Sequence, residues 1–429
     1  MRALHVLPAF PGEPDEGSAV YSRALTRELA GRGVQIDVLA TRSRRLRMRR
    51  PFHIDWPAEL PRADLVDGVT VRRFRAMRLP APAGALANRL VQRNWRRIEP
   101  SPGGRPESDP ATLFATAPRF SKSADLAARF GRGPVVPGLL ARVVKRVAGY
   151  DVVLASYAPF GLMGWVEAAA RPAGVPVVLL PFIHEADPFH HLPSLHRAYA
   201  RAAAVLTLSQ HTAELLRRHL PASRPLAIGA GADLDVFDGA EVSGERFRVA
   251  HGLGDRRMML FVGRKDAAKR YDLALRAAAA ADDGAVLVIV GRDVDRRPLP
   301  RGVLHLERLE PRRLADAYDA CDVLLHPSEQ ESFGLVCLEA WLRRKPVVAN
   351  RRCGASAALI SDGEDGLLCG SAAEWPAAVA RLAAEPGRAR SMGEAGREKV
   401  LARFTWERVA RRVHELYEKV GGERDARAG

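Results

Sequence analysis

Two carboxylates, Glu331 and Glu339, are separated by seven residues in the stretch HPSEQESFGLVCLE (residues 326–339). The apolar run Val323-Leu324-Leu325 before it reads as the end of a buried strand. Leu335, Leu338 and Leu342 after it recur at helical spacing. Gly334 falls where that helix starts, so Glu331 belongs to the preceding loop and Glu339 to the second turn. A helix N-terminus carries unpaired N–H groups and a partial positive charge, which suits a phosphate. A carboxylate on each side could accept pairs of hydroxyls from a sugar or a ribose. The same residues also suit a surface helix with two solvated acids, and the surrounding chain has to decide.

Three other places carry residue types that could do chemistry. Arg264 and Lys269 flank a strand-to-helix turn, five residues apart, and both can face one diphosphate, the arginine as a planar fork and the lysine as a point charge. Gly17 and Ser18 open the first helix after a loop rich in Pro, Gly and acids. That is a second candidate phosphate cradle, although G-x-G-x-x-G is absent and a turn glycine explains it as well. His184 follows the run Val175-Pro-Val-Val-Leu-Leu180 at a strand end, where an imidazole could contact substrate or simply cap the loop. His190, His191 and His196 lie nearby at spacings that fit no usual metal pattern.

The elements that must hold these residues alternate through the chain. An opening strand (residues 3–7), a helix to about residue 30 and a strand over 34–40 make a βαβ start. Strand 69–74 follows, then a helix over 84–98. Residues 99–137, beginning near PSPGGRPESDP, read as a long irregular insertion. Regular alternation resumes at residue 139, pauses at the glycine turn 229–233, and restarts at 258. The fold class is α/β, with two doubly wound parallel sheets, and ligands then bind beyond the carboxyl ends of the strands. We expect a first domain over 1–228, completed by a C-terminal helix over 406–420, and a second over 229–405.

With 429 residues, of which 47% are hydrophobic, the chain can build two or three cores. Lys and Arg total 66 against 50 acids, a net charge of +16 that favours anionic partners. The run RRLRMRR (44–50) suits an anionic membrane or nucleic acid but reads more simply as a solvated loop. Basic residues are otherwise dispersed without interleaved aromatics, which argues against nucleic-acid binding. Cys321, Cys337, Cys353 and Cys369 form no C-x-x-C pair and read as small core residues in a reducing compartment. Neither a signal peptide nor a run near the roughly 20 apolar residues of a membrane span is legible. The expectation is a cytoplasmic protein, compatible with peripheral attachment at an inner membrane face.

Four segments in the second half are familiar: FVGRKDAAKRYDL (261–273), HPSEQESFGLVCLEA (326–340), KPVVANRRCGASAALISDGEDGLL (345–368) and MGEAGREKVLARFTWERVA (392–410). Together they resemble the retaining glycosyltransferases of family 4, which have the GT-B fold, two Rossmann-like domains facing each other across a cleft. The first half matches in outline through Gly17-Ser18, Ile183-His184-Glu185 and the 229–233 turn. The resemblance implies a nucleoside-diphosphate sugar donor, a UDP- or GDP-sugar, with a hexose passed to an acceptor hydroxyl and the anomeric configuration kept. Arg264 and Lys269 would bind the diphosphate and stabilise its departing charge. Glu331 would hold sugar hydroxyls and Glu339 the ribose. Ser332, Phe333, Gly334 and Leu335 would meet phosphate and sugar, with backbone N–H groups from Phe333 to Leu335. His184 would sit at the reaction centre, and Gly17 would let the first loop approach the diphosphate. No metal or other cofactor is implied, since the cations can stand in for one and no D-x-D is convincingly placed. Arg270 stands where the family usually has glycine, Gly17-Ser18 replaces a glycine pair, and Ala230 replaces a common asparagine. A non-catalytic nucleotide-sugar-binding subunit and a nucleotide-sugar epimerase are the competing readings.

Overall fold

Short runs of Val, Leu and Ile that are apolar on both faces belong in parallel sheets covered by helices. A computed structural model of the chain contains two such sheets. It describes all residues except 13–16, 45–46, 50–52, 78–85, 87–88, 91–92, 95–113, 116, 282–283 and 429. The chain divides into two compact units, Met1–Ile228 with Ala410–Gly429, and Gly229–Val409.

In the first unit the strands are β1 (Arg2–Leu7), β2 (Gln35–Thr41), β3 (Arg47–Arg49), β4 (His53–Asp55), β5 (Ala63–Val66), β6 (Val69–Phe74), β7 (Val152–Ser156), β8 (Val177–Leu180), β9 (Ala204–Thr207) and β10 (Pro225–Ala227). Eight of them form one sheet in the order β10-β9-β8-β7-β1-β2-β6-β5, and β3 pairs with β4. The second unit has β11 (Met258–Val262), β12 (Val286–Val290), β13 (Val303–Leu306), β14 (Val323–His326), β15 (Val347–Asn350) and β16 (Gly366–Cys369). Their order is β13-β12-β11-β14-β15-β16, and every pair is parallel. All five residues of β7 and of β12 are buried, as strands covered on both faces must be.

In each sheet the strand order reverses beside the unit's first strand, at β1/β7 and at β11/β14. The loops leaving adjacent strands there part to opposite faces and open a crevice at the carboxyl ends. The β11/β14 register, Met259 opposite Val323 and Leu260 opposite Leu324, brings the loop after Val262 beside the loop after His326.

Three features differ from the sequence reading. Part of the region expected to be an irregular insertion is regular: a helix spans Lys122–Arg132, its first turn capped by Ser121 Oγ, which accepts from Ala124 N at 3.2 Å. Ala124 and Ala128, one turn apart, join Phe114 and Phe120 in the first unit's core. The single acid on that helix, Asp125, is buried and accepts from Ser194 Oγ at 2.6 Å and Arg197 Nη2 at 2.9 Å. The polar start of the region, residues 99–113, lies outside the described residues, as do most of the helix expected over 84–98 and part of the basic run 44–50. Second, β5 runs antiparallel to β6, with Val66 opposite Val69 across the turn Asp67-Gly68. Both turn residues have positive φ, 50° and 77°, as an Asp-Gly hairpin turn requires. Third, the final helix runs from Trp406 to Ala428, beyond the expected end at 420. Its later turns belong to the first unit. Tyr417 Oη is 3.1 Å from His5 Nε2, and Arg424 Nη1 donates to Tyr150 O at 2.6 Å.

Candidate active site

The second unit's crevice is built first by backbone. Gly263 closes β11 with φ 152°, and Gly291 closes β12 with φ 145°. A Cβ at position 291 would stand 2.0 Å from the Gly263 carbonyl oxygen, so the two strand-end loops touch only because glycine is there. In residues 264–270, Asp266 accepts from Lys269 N at 3.0 Å and caps the short turn Ala267–Lys269. Arg264 Nε lies 3.1 Å from Asp266 Oδ2, with half of its side chain exposed. Arg270, at the position where glycine is usual, adopts the left-handed conformation at φ 50°. For a residue with a Cβ that costs roughly 1–2 kcal/mol. Its guanidinium pairs with Glu329 and with Asp272 at 3.0 Å, which offsets the cost.

Across the crevice, Glu331 Oε1 accepts from Lys269 Nζ at 2.5 Å, with both side chains largely covered. The structure thus joins one of the expected phosphate-binding cations directly to the expected sugar-binding acid. An ammonium has three hydrogens, and Glu331 takes one of them. His326 Nε2 lies 3.8 Å from the same carboxylate oxygen; it is buried and has no hydrogen-bond partner among the described residues. Burial lowers the His326 imidazole to about 4, so it is neutral at neutral pH. Gly334 caps the helix Leu335–Leu342 with φ 110°, and a Cβ there would approach His326 Nε2 to 3.4 Å. Phe333 is buried edge-on against Phe404 at 5.4 Å, whereas Ser332 and Leu335 are partly exposed. Glu339 lies on that helix and accepts from Tyr318 Oη at 2.7 Å. Burial pushes its carboxyl up to about 7, the Tyr318 hydrogen bond opposes the rise, and the Asp233 carboxylate adds to it.

By sequence, residues 265–270 are a basic loop in which Lys265 has no evident role. In the structure Lys265 is fully buried. Its Nζ donates to Asp295 Oδ1 at 2.5 Å and to Arg297 O at 2.8 Å, and lies 2.9 Å from Asp293 Oδ1. Tyr271 covers it at 5.2 Å and donates its own hydroxyl to Asp295 Oδ2 at 2.7 Å. Burial alone would lower this ammonium; the bonds to Asp295 and Asp293 outweigh it and hold the group above its usual value. The Asp-Val-Asp of residues 293–295 is therefore occupied by an amine. Tyr318 and His326 were likewise assigned no part. The available signals were the Asp-Val-Asp after a strand-end glycine, and the opening histidine of the 326–339 stretch.

His184, Gly17 and Ser18 belong to the first unit. His184 follows β8, partly exposed, and stacks on His190 with centroids 5.2 Å apart. His184 N donates to His190 Nδ1 at 3.3 Å. The next residue, Glu185, is buried and pins the loop: Oε1 accepts from Thr212 Oγ1 at 2.5 Å, and Oε2 lies 3.2 Å from His211 Nε2. The hydrogen bond to Glu185 raises the His211 imidazole above its usual value. Gly17 and Ser18 begin the helix Gly17–Gly31, and Ser22 Oγ donates back to Ser18 O at 2.8 Å. Tyr21, one turn on, meets Phe182 edge-on at 5.4 Å, and Phe182 meets Tyr157 at 5.5 Å. Tyr157 and Phe182 both have positive φ, 98° and 51°, backbone conformations that concentrate at functional sites. Through that aromatic contact the Gly17 helix and the His184 loop gather at one end of the first sheet.

Residues 244–399 match the family described as Glycosyl transferases group 1. The D-inositol 3-phosphate glycosyltransferase 2 of Catenulispora acidiphila is 30% identical over 316 residues, spanning 63% of this chain and 71% of that protein. The chain belongs to the group 1 glycosyltransferases. The family-4, GT-B resemblance of the four segments is in line with this. Among solved structures, sucrose-phosphate synthase from Thermosynechococcus elongatus superposes with a TM-score of 0.70 at 22% identity, covering 99% of this chain and all of that one. Anabaena Alr3699/HepE, solved with UDP and glucose, gives 0.67 at 17% identity over 97% of this chain and 99% of that one. Both likenesses are of fold. For this glycosyltransferase, no helix among the described residues is long and apolar enough to cross a membrane.

Proposed function

We propose that this glycosyltransferase takes a hexose from a nucleoside-diphosphate sugar and passes it to an acceptor hydroxyl with retention of the anomeric configuration. The carrying observation is the Lys269–Glu331 pair at 2.5 Å, on the loop that also carries Arg264 and on the loop that leads into the Gly334-capped helix bearing Glu339. Phosphate oxygens would meet Arg264, the two remaining hydrogens of the Lys269 ammonium, and the N–H groups at the start of the helix, with Phe333 to Leu335 supplying backbone contacts. Glu331 would accept sugar hydroxyls and Glu339 the ribose. The leaving diphosphate gains negative charge as the glycosidic bond breaks, and fixed cations stabilise that charge most where water is excluded. No metal is required in this scheme, since the guanidinium and ammonium supply the positive charge. In the first unit, His184 would contact the sugar at the reaction centre, and Gly17 and Ser18 would approach the diphosphate. The acceptor would bind on that unit's strand ends. A donor phosphate oxygen would take the acceptor proton during front-face attack.

Family membership favours transfer over the epimerase and binding-subunit readings. The solved relative with UDP and glucose supports a UDP-sugar donor, with GDP-sugars next. A thermal-shift panel of nucleotide sugars tests the donor, because a ligand that binds only the folded state raises its melting temperature. Stabilisation by one nucleotide sugar, followed by acceptor-dependent release of its nucleotide with the anomeric configuration kept, supports the reading. A panel with no shift contradicts it. The charge of +16 suits an acceptor presented at an anionic membrane surface. Pelleting with phosphatidylglycerol vesicles at low salt, lost at high salt, supports that location, and no pelleting at low salt removes it.

A further inference from the structure

Lys265 stands between the two cations assigned to the diphosphate, yet it points away from solvent into a closed cluster of opposite charge. The loop it belongs to carries Arg264 and Lys269, and the loop it grips, residues 291–297, leaves the neighbouring strand. Backbone joins the two loops as well: Lys265 N donates to Arg292 O at 2.9 Å, and Val294 N to Lys265 O at 3.1 Å. Gly263 and Gly291 bring the main chains into contact just before this point. The side chain adds two carboxylates and a carbonyl as fixed partners on the far loop, and Tyr271 closes the cluster from the helix that follows.

Two consequences follow. The loop is held at its third residue, so Arg264 and Lys269 are presented from a braced segment. The carboxylates of Asp293 and Asp295, which would otherwise repel a diphosphate with two charges, share one ammonium that cancels one of them. We propose that Lys265 is the positioning residue of the donor site, locking the strand-end loops of β11 and β12 together and screening the Asp293–Asp295 pair so that diphosphate can bind. This rests on the donor-site reading above. No atom of Lys265 touches the donor in this account, and its effect passes through Arg264 and Lys269.

The experiment compares the wild-type chain with Lys265→Met, Asp293→Asn and the control Lys399→Met. Lys399 is another covered lysine of the same unit, bonded to Leu359 O at 3.1 Å and Ser361 Oγ at 3.0 Å and paired with Asp365, with no part in the donor site. Titration calorimetry with UDP and with GDP is run at a temperature where circular dichroism shows each variant folded, alongside kcat and KM. The expected result is that both lysine variants melt earlier, while only Lys265→Met weakens the nucleoside diphosphate by about tenfold or more. KM for the donor rises with it, and the loss grows at low salt as the bared carboxylates repel the ligand. Should Lys265→Met not fold, Asp293→Asn carries the test: it keeps a hydrogen-bond acceptor but loosens the ionic brace, and is expected to weaken diphosphate affinity by about threefold or more. Affinity within twofold of wild type in the folded lysine variant, or in Asp293→Asn where that variant stands in, overturns the proposal and leaves Lys265 a purely structural residue. Failure of the wild-type chain itself to bind either nucleotide would count against the donor-site reading and is seen separately.

Discussion

The strand ends of the two units handle charge in opposite ways. In the second unit, cations are met by acids at short range: Lys269 by Glu331, Arg264 by Asp266, Arg270 by Glu329 and Asp272, Lys265 by Asp293 and Asp295. In the first unit, the loop of His184 rests on imidazoles. Burial lowers His191 to about 4 and His196 to about 3, so both are neutral, and His190 stacks under His184. On the proposed function, a crevice of paired charges would exchange one anion for another as a diphosphate arrives on Lys269. Apart from the covered Glu185–His211 pair, the first unit's neutral rings hold His184 in place, and on the proposed function they would do so without competing for the diphosphate. On the proposed function, that difference would divide leaving-group stabilisation from acceptor-side geometry.

The largest break in that comparison should come from the charged side. Lys269→Ala and Glu339→Ala are each expected to lower kcat/KM for transfer by ~100-fold or more, the scale of a lost electrostatic contact to developing charge. Turnover close to wild type in either would remove the division of labour. Truncating the neutral side should act differently: His184→Ala is expected to lower kcat by about tenfold or more while leaving nucleoside diphosphate affinity within twofold. Loss of donor binding with full turnover at saturation would place His184 with the donor instead.

Acidity sharpens the contrast. His5, His191 and His196 of the first unit are held well below the ordinary histidine value by burial, to about 3, 4 and 3. Below pH 6.5 the unfolded chain binds protons that the folded unit refuses, so the first unit loses stability as pH falls. His326 of the second unit acts in the same sense and His211 of the first in the opposite one, which leaves more lowered imidazoles in the first unit, so hydrogen exchange should rise more in β1 and residues 184–199 than in β11 and β12 between pH 7 and pH 5. Equal protection in both units would contradict this. Glu339 runs the other way. Its folded value of about 7 lies above the ordinary carboxyl value of 4.5, so the folded state binds the extra proton between those values and stability falls as pH rises through them. Glu339→Gln should therefore melt higher than wild type at pH 8 and gain less at pH 5. If its carboxylate holds the ribose, nucleotide affinity in the wild type should climb from pH 6 to pH 8, and the climb should vanish in the variant. The smallest effect is expected at Arg270. Arg270→Gly relieves a left-handed residue but gives up its ion pairs, so stability should change by no more than about 1 kcal/mol in chemical denaturation.

Much of the second unit was legible because most of its strands are short apolar runs, β11 and β12 each ended by glycine. β11 begins at Met258, where the alternation is expected to restart. Arg264, Lys269 and Glu331 could be brought together from their places at strand ends, since parallel sheets gather those ends along one edge. Lys265 could not. Its neighbours suggest a solvated basic loop, and only the side-by-side pairing of β11 and β12 supplies the acids that allow a buried ammonium. Glu339 was legible as a residue, but not its raised carboxyl, which depends on burial and on Asp233 from a distant turn. In the first unit, the Asp67-Gly68 turn before Val69 announces a hairpin that a search for βαβ alternation passes over. Ser121 before the Ala124/Ala128 stripe likewise announces a helix that the polar stretch ahead of it obscures.

The most direct measurement is a crystal structure of the chain with the nucleotide sugar that stabilises it most in the thermal-shift panel. The account predicts the diphosphate within hydrogen-bond distance of Arg264 and Lys269, sugar hydroxyls on Glu331 and the ribose on Glu339, with Lys265 still bound to Asp293 and Asp295. A donor seated away from those four side chains would contradict it.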